Sequence, residues 1–353
     1  MKILFVMKHR GNAGNMHAVA DYMRISSSFG HEVALFGPAQ PWLSGVTFSM
    51  DAGAFDKVVY LFESEIYRLP RLHEVRLLGA FARRDRMILD MDGMYNPVIE
   101  LDDYDRNHDS AGQSETWATH YQALSDRIFK PQLPSGRDGG RSPALTFYGY
   151  DPALEMSPQD APAKEFDIVY VGHNWWRWRQ IEREIVPDLA PIRGEIGRIA
   201  LIGLWWDAPP GEAEQGGSSL PYACDHAAIR RLGIETLPSV MYDQVIATMS
   251  RSRINIFTQR PVLHHLRHLT LKYFEIFYAD TIPLLMLDPD HAAAVYGPAG
   301  RALTLTGRVG ATLQDALRRP EHYRSLVHEV RRHLTRHHNY ELRVGELVSA
   351  LDG

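Results

Sequence analysis

The sequence predicts an α/β protein made of two doubly wound, Rossmann-like domains, and three stretches predict it. Residues 2–7 form an apolar run, followed by a glycine-containing loop, an amphipathic helix and a second apolar run at 31–36. That order is the strand–loop–helix–strand unit of a parallel sheet. A second opening of the same kind comes at 166–171 (FDIVYV), after the polar, proline-rich stretch 157–164 (SPQDAPAK), whose composition marks an interdomain linker. The third stretch is 270–289, TLKYFEIFYADTIPLLMLDP. It reads as a short helix, a tight turn and a continuous apolar strand buried on both faces. With 353 residues, 45% of them hydrophobic, the chain is long enough for two domains with a core each.

In the first domain, expected over 1–156, the opening MKILFVM is read as a strand. Its apolar run is too short for a leader and no small-residue cleavage site follows. A helix is predicted from Met16 to Phe29 with Gly30 as its stop. The loop between has only G-x-x-G, short of the dinucleotide pattern, so an oxidoreductase reading is weak. Further strands are predicted at 56–62, 87–89 and 145–148, with a helix over 69–84. Glu63 and Glu65 close the first of these strands, where ligand loops of open α/β sheets gather. Asp90-Met91-Asp92 follows the second, an acidic pair of the kind that binds a metal, but so short a motif is common by chance and the metal-free reading is favoured.

The second domain, expected over 165–330, starts with FDIVYV, then Gly172-His173-Asn174 and the tryptophan-rich WWRWR. A strand, glycine turn and helix start make a phosphate site through backbone N–H groups and the helix dipole. The rival reading is tryptophans capping a core and arginines facing water. Strands follow at 198–204, 234–238 and 253–257, and helices at 239–252, 311–319 and 321–350. The loop 258–270 holds His264, His265, Arg267 and His268. Neighbouring histidines on one loop point in different directions, which suits zinc poorly. Arg267 and Lys272 suit phosphate oxygens better. Glu275, amid Phe274 and Ile276, is a charge close to a buried element and needs a partner.

The pattern Arg267, Lys272-Tyr273-Phe274-Glu275, Ala279-Asp280-Thr281, Pro283-Leu284-Leu285 resembles the donor-site segment of GT-B-fold glycosyltransferases. It is most similar to the group-one and spore-maturation-protein-like members, whose usual form is R-x-F-E-A-L-A-C-G-T-P-L-L. Asp280 stands where that pattern has glycine, and Arg267 where a second glutamate is frequent. The motif covers about twenty residues, and the domain order extends the likeness over most of the chain.

The resemblance implies two domains facing across a cleft and a sugar moved from a nucleoside diphosphate sugar to a small-molecule or glycan acceptor. It implies no metal or other cofactor and retention of configuration. Glu275 would hold the ribose, Thr281 the donor side of the turn, and Leu237 to Tyr242 the base. Gly172 and Asn174 would approach the diphosphate, with His173, Arg267 and Lys272 taking up its growing charge. In the first domain Gly11, Asn12 and Asn15 would line the acceptor side, and His9, His17 or Asp92 would serve as base if configuration is inverted. The last helix, 331–353, would return to the first domain. Two other readings share this fold: a nucleotide-sugar epimerase or hydrolase, and a non-catalytic nucleotide-binding module.

Composition narrows the partners. A net charge of −5 gives no bulk electrostatic reason to expect nucleic acid or an anionic membrane. A single cysteine, Cys224, suits a reducing cytoplasm. No apolar stretch approaches the roughly 20 residues of a membrane span. Oligomeric state is not legible.

Overall fold

The computed structural model describes the chain except for residues 10–13, 42, 44, 64–75, 102–104, 108–110, 135–141 and 212–218. Gly11, Asn12, Glu65 and residues 69–75 of the helix expected over 69–84 therefore lie outside the described residues, and of its described part only 76–78 is α-helical. The chain forms two compact units. The first comprises Met1–Gly149, His265–Leu271 and His338–Gly353, and the second Tyr150–His264 and Lys272–His337.

The first unit is built on a six-stranded parallel sheet. Its strands are β1 (Lys2–Val6), β2 (Glu32–Phe36), β3 (Phe48–Ser49), β4 (Lys57–Phe62), β5 (Arg86–Asp90) and, beyond the small antiparallel pair β6 (Glu100–Leu101) and β7 (Asp105–Arg106), β8 (Ile128–Phe129). The sheet order is β3-β2-β1-β4-β5-β8, so it is wound outward in both directions from β1. Ile3, Leu4, Phe5 and Val6 are all buried, as a strand covered on both faces requires. One core cluster joins Leu4, Val58, Tyr60, Phe62 and Ile88 to Trp117 and Tyr121 of the helix Ala111–Leu124. The first helix runs Gly14–Ser26, tightens to a 3₁₀ turn at Ser27–Phe29, and stops at Gly30, φ 72°. Residues 145–148, expected as a strand, are not one. Only an isolated bridge between Lys130 and Ala144 forms there, with Leu145 N–H donating to Lys130 O at 2.9 Å.

The second unit has five parallel strands: β9 (Phe166–Val171), β10 (Ile199–Ile202), β11 (Ile234–Leu237), β12 (Ser252–Phe257) and β13 (Ile282–Leu285). Their order is β11-β10-β9-β12-β13, the same outward winding from a first, central strand. The helix after β9 is interrupted: Arg177–Gln180, a π turn at Ile181–Ile185, then Val186–Ile192. The expected helix over 239–252 is helical only at Val245–Ser250.

Two segments depart from the sequence-based division. The loop expected over 258–270 is shared, because His265–Leu271 belongs to the first unit. There Leu269 N–H donates to Pro131 O at 2.6 Å, Gln132 donates to Leu266 O, and Leu269 and Leu271 are buried. The helix expected over 321–350 is two helices, Pro320–His337 and Tyr340–Asp352. Asn339 breaks it: its backbone is extended (φ −66°, ψ 158°) and its side chain accepts from Leu342 N–H at 2.9 Å, capping the second helix. That last helix lies in the first unit, with Tyr340 edge-on to Tyr22 at 5.7 Å.

Candidate functional site

In each unit the loops that follow the strands gather polar and charged side chains at the carboxyl edge of the sheet. In open α/β sheets this is where ligands bind.

The first unit's group begins with His9, just past β1. Its Nε2 lies 3.0 Å from Phe36 O, and its ring is 5.6 Å from that of Phe48. A neutral His9 ring thus donates through Nε2 and keeps Nδ1 as its acceptor nitrogen. His17 sits on the first helix, where burial depresses its pKa to about 4. Asn15, at the start of that helix, accepts from the Tyr148 hydroxyl. The charges of Glu63 and Asp92 reinforce burial in raising the Tyr148 pKa well above the usual tyrosine range. The structure therefore brings Asn15, Asp92, Glu63 and Tyr148 together. Tyr148 was missed by the sequence reading, since nothing in a lone Phe-Tyr-Gly marks a tyrosine that will reach a helix start far away in the chain.

The two aspartates of the Asp-x-Asp motif have different jobs. Asp90 is fully buried and accepts from Met94 N–H and Tyr95 N–H, both at 2.9 Å, and from Tyr121 O–H at 2.7 Å. Burial raises its pKa to about 6 against the pull of those three donors. It shapes the loop, so its place as a ligand candidate is withdrawn. Asp92 is half-buried. Between them and Asn96, Gly93 has φ 77°, and a Cβ there would lie 2.4 Å from the Leu266 side chain, so only glycine fits. Among the described residues no three His, Cys, Asp or Glu side chains converge as metal ligands would.

In the second unit Gly172, His173 and Asn174 follow β9, and Gly203, Leu204 and Trp205 follow β10. The two loops touch through their backbones. Gly172 N–H donates to Ile202 O at 2.8 Å, and a Cβ on Gly203 would come within 2.1 Å of Gly172 O. Gly203 N–H in turn donates to Leu237 O at 3.0 Å, where β11 ends. Tyr242 is half-buried at the start of a 3₁₀ turn beyond.

Asn174 is fully buried, and its side chain serves the fold. Its Oδ1 accepts from Trp178 N–H at 3.0 Å, and its Nδ2 lies 3.1, 3.2 and 3.3 Å from the carbonyl oxygens of Trp205, Tyr222 and Ala223. It pins three loops and is a positioning residue.

His173 Nδ1 accepts from Leu204 N–H at 3.0 Å, so the neutral ring carries its proton on Nε2. Burial, helped by the nearby charges of Arg177 and Lys272, depresses its pKa to about 4. It is a neutral N–H donor at pH 7.

Lys272 Nζ lies 2.6 Å from Glu275 Oε2, and the Glu275 side chain is 5% exposed. The pair starts the short helix Lys272–Glu275. Beside it, Tyr273 O–H donates to Gln259 Oε1 at 2.9 Å in the buried Thr258-Gln259-Arg260 loop after β12. Gln180 ties the same loop from the helix side, its Oε1 accepting from Thr258 O–H.

One expected member of this group, Thr281, lies elsewhere. Thr281 precedes β13, and its hydroxyl is 3.2 Å from that of Ser252, the first residue of β12. All strands of the sheet are parallel, so Thr281 is at the opposite edge from His173 and Leu237. Arg267 is exposed, has φ 57°, and belongs to the first unit, whereas Lys272 belongs to the second. Gly203, Trp205 and the Thr258–Arg260 loop were missed. The first two carried a signal: β9 ends in VGHNWW and β10 in IGLWW, the same glycine-then-tryptophan close.

No protein-family model and no curated protein sequence matches the chain. Solved structures do. An α-glucosyltransferase in complex with UDP and a 13-mer DNA aligns over 100% of this chain and 99% of its own, with TM-score 0.58 and 10% identity. AviGT4, a glycosyltransferase involved in avilamycin A biosynthesis, aligns over 99% and 97%, with TM-score 0.57 and 15% identity. T4 phage BGT in complex with UDP and Mn²⁺ aligns over 100% of both chains, with TM-score 0.55 and 11% identity. The two parallel-sheet α/β units thus have the fold of the GT-B glycosyltransferases along the whole chain.

Proposed function

We propose that the protein is a glycosyltransferase that moves a sugar from a nucleoside diphosphate sugar to an acceptor hydroxyl or amine of a small molecule or glycan. The second unit would hold the donor and the first the acceptor. The observation that carries this reading is the buried Glu275 carboxylate, ion-paired with Lys272, whose charge acts on His173 of the β9 loop, in a GT-B fold. A buried carboxylate is costly unless it has work for its oxygens. A second acceptor for the ribose hydroxyls is that work. The sequence around it keeps the group-one, spore-maturation-like pattern, which supports the same assignment.

In the reaction the bond between the anomeric carbon and the diphosphate oxygen breaks, and one from that carbon to the acceptor oxygen or nitrogen forms. Negative charge grows on the leaving diphosphate as it departs. Lys272, Arg177 and the Nε2–H of His173 supply positive charge and a donor in one unit, which supports a metal-free mechanism. Gly172, its own N–H held by Ile202 O, lets the β9 and β10 loops pass close together and so keeps His173 at the diphosphate. Leu237 and Tyr242 border the base. Arg267 is kept as a candidate for the diphosphate charge, and Thr281 and Asn174 are not assigned donor contacts. Asp92, His9 and His17 are the acceptor-side base candidates should configuration invert, and Asn15 an acceptor contact. With retention, the leaving phosphate takes the acceptor proton and none of the three is needed.

Calorimetry with a panel of nucleoside diphosphates, then a donor-turnover assay with and without acceptors, tests this. Glu275→Ala should weaken nucleotide binding about ten- to a hundredfold, the worth of one or two hydrogen bonds to a charged group. Unchanged affinity would remove the site assignment. Turnover without acceptor would point to a hydrolase or epimerase, and binding without turnover to a non-catalytic module. Chelator should leave the rate unchanged. Because the similar α-glucosyltransferase was solved in complex with UDP and a 13-mer DNA, a duplex DNA acceptor belongs in the panel. The net charge of −5 predicts no transfer to it.

A further inference from the structure

Beyond His173 lies a group of aromatic rings that sugar transfer as described does not use. Trp205 has its ring centroid 5.4 Å from His173, 4.9 Å from Tyr222 and 6.2 Å from Trp175, and Trp175 is 5.0 Å from Tyr222. The interplanar angles of 57–73° are tilted or edge-on, the geometry in which aromatic rings buttress one another. Core filling does not account for Trp205. The neighbouring Trp206 and Trp178 are 1% exposed and do fill the core, whereas Trp205 and Trp175 are half-buried.

The backbone gives the second observation. Trp205 has φ 68° and Trp176 φ 63°. The left-handed region costs a bulky residue about 1–2 kcal/mol, and such strain persists where the surroundings over-determine it, typically at a ligand site. Here the surroundings are Asn174, bonded to Trp205 O and Tyr222 O, and the His173–Leu204 bond one residue before Trp205.

The third is position. Gly203, two residues before Trp205, donates its N–H to Leu237 O at 3.0 Å, which sets the Trp205 loop beside the segment proposed to border the base.

We propose that Trp205 is the stacking platform for the nucleotide's base, held open by the strained loop that Asn174 and His173 fix. This rests on the reading of the second unit as a nucleoside diphosphate sugar site, and adds a specificity-determining residue to it.

The test titrates the full chain with UDP, GDP and ADP, following tryptophan fluorescence and calorimetry, with inorganic pyrophosphate as a base-free control. Trp205→Phe keeps a stacking face. Trp205→Asn removes it while tolerating a positive φ. Base–aromatic stacking lost to a non-aromatic side chain typically changes affinity about 5- to 150-fold. The expected result is indole quenching in the wild type, a Kd within about threefold but weaker quenching in Trp205→Phe, and a loss of about tenfold or more in Trp205→Asn. Pyrophosphate should bind all three alike. Equal nucleotide affinity in Trp205→Asn, or full quenching in Trp205→Phe if the first variant does not fold, overturns the stacking role and leaves the nucleotide site standing. No binding of any nucleotide to the wild type overturns both.

Discussion

Asn174 shows how one side chain can set a site without touching a ligand. It caps the helix at Trp178 N–H and draws in the carbonyls of Trp205, Tyr222 and Ala223. Asn174→Ala strands those groups and should cost about 2–4 kcal/mol. Asn174→Asp has nearly the same shape but turns an oxygen toward three carbonyl oxygens, so it should be the less stable of the two. Denaturant midpoints ranking Asp level with wild type would contradict the network. At this scale the sequence told part of the story. Gly172-His173-Asn174 after an apolar run marks a phosphate-type loop, but whether an amide faces a ligand or its own backbone depends on loops nearly fifty residues away. Glu275 was legible as a buried charge needing a partner, and Lys272 is that partner at 2.6 Å. Thr281 was misplaced because a turn next to a site helix lies, in a parallel sheet, at the far end of the strand that follows.

Among the elements, the helix Tyr340–Asp352 is the clearest case of local signal without address. Its amphipathic pattern is plain, yet it belongs to the unit formed by the chain's beginning. Tyr340, Val344, Leu347 and Leu351 are each 2% exposed or less, and Leu351 O accepts from Arg127. Ending the chain at 339 forfeits that burial, about 6–12 kcal/mol at roughly 1.5–3 per side chain, as much as a whole domain's stability. Hydrogen exchange should then find the β1, β4 and β5 amides unprotected. Retained protection there would show that the helix is an ornament of this unit. Tyr340→Ala offers a milder version, since the Tyr340 ring packs directly on Gly149 and Tyr22.

For the molecule as a whole, pH offers a test of how the two units bury imidazoles. His268 in the first unit and His173 in the second have pKa values depressed to about 3 and 4, and His17 to about 4, with burial the main cause. Between those values and the ordinary 6.5 the unfolded chain binds more protons than the native one, so stability is complete above pH 6.5 and falls as pH drops toward 4. Asp90, raised to about 6, works in the opposite sense, its share being lost as pH rises through 6. Glu346 is also raised and His120 and His333 are also lowered, all chiefly by burial, so two carboxyls stand against five imidazoles, a net loss, and Tm should be clearly lower at pH 5 than at pH 7.5. A Tm that rises on acidification would contradict these burials.

What the sequence by itself determined is the class: apolar runs punctuated by glycine loops read as buried parallel strands, and two such series make two sheets. The tertiary structure alone decided which charges meet, which unit receives His265–Leu271 and the last helix, and that two tryptophans sit in the left-handed region. Those outcomes depend on contacts between residues far apart in the chain, for which periodicity, being local, carries no information.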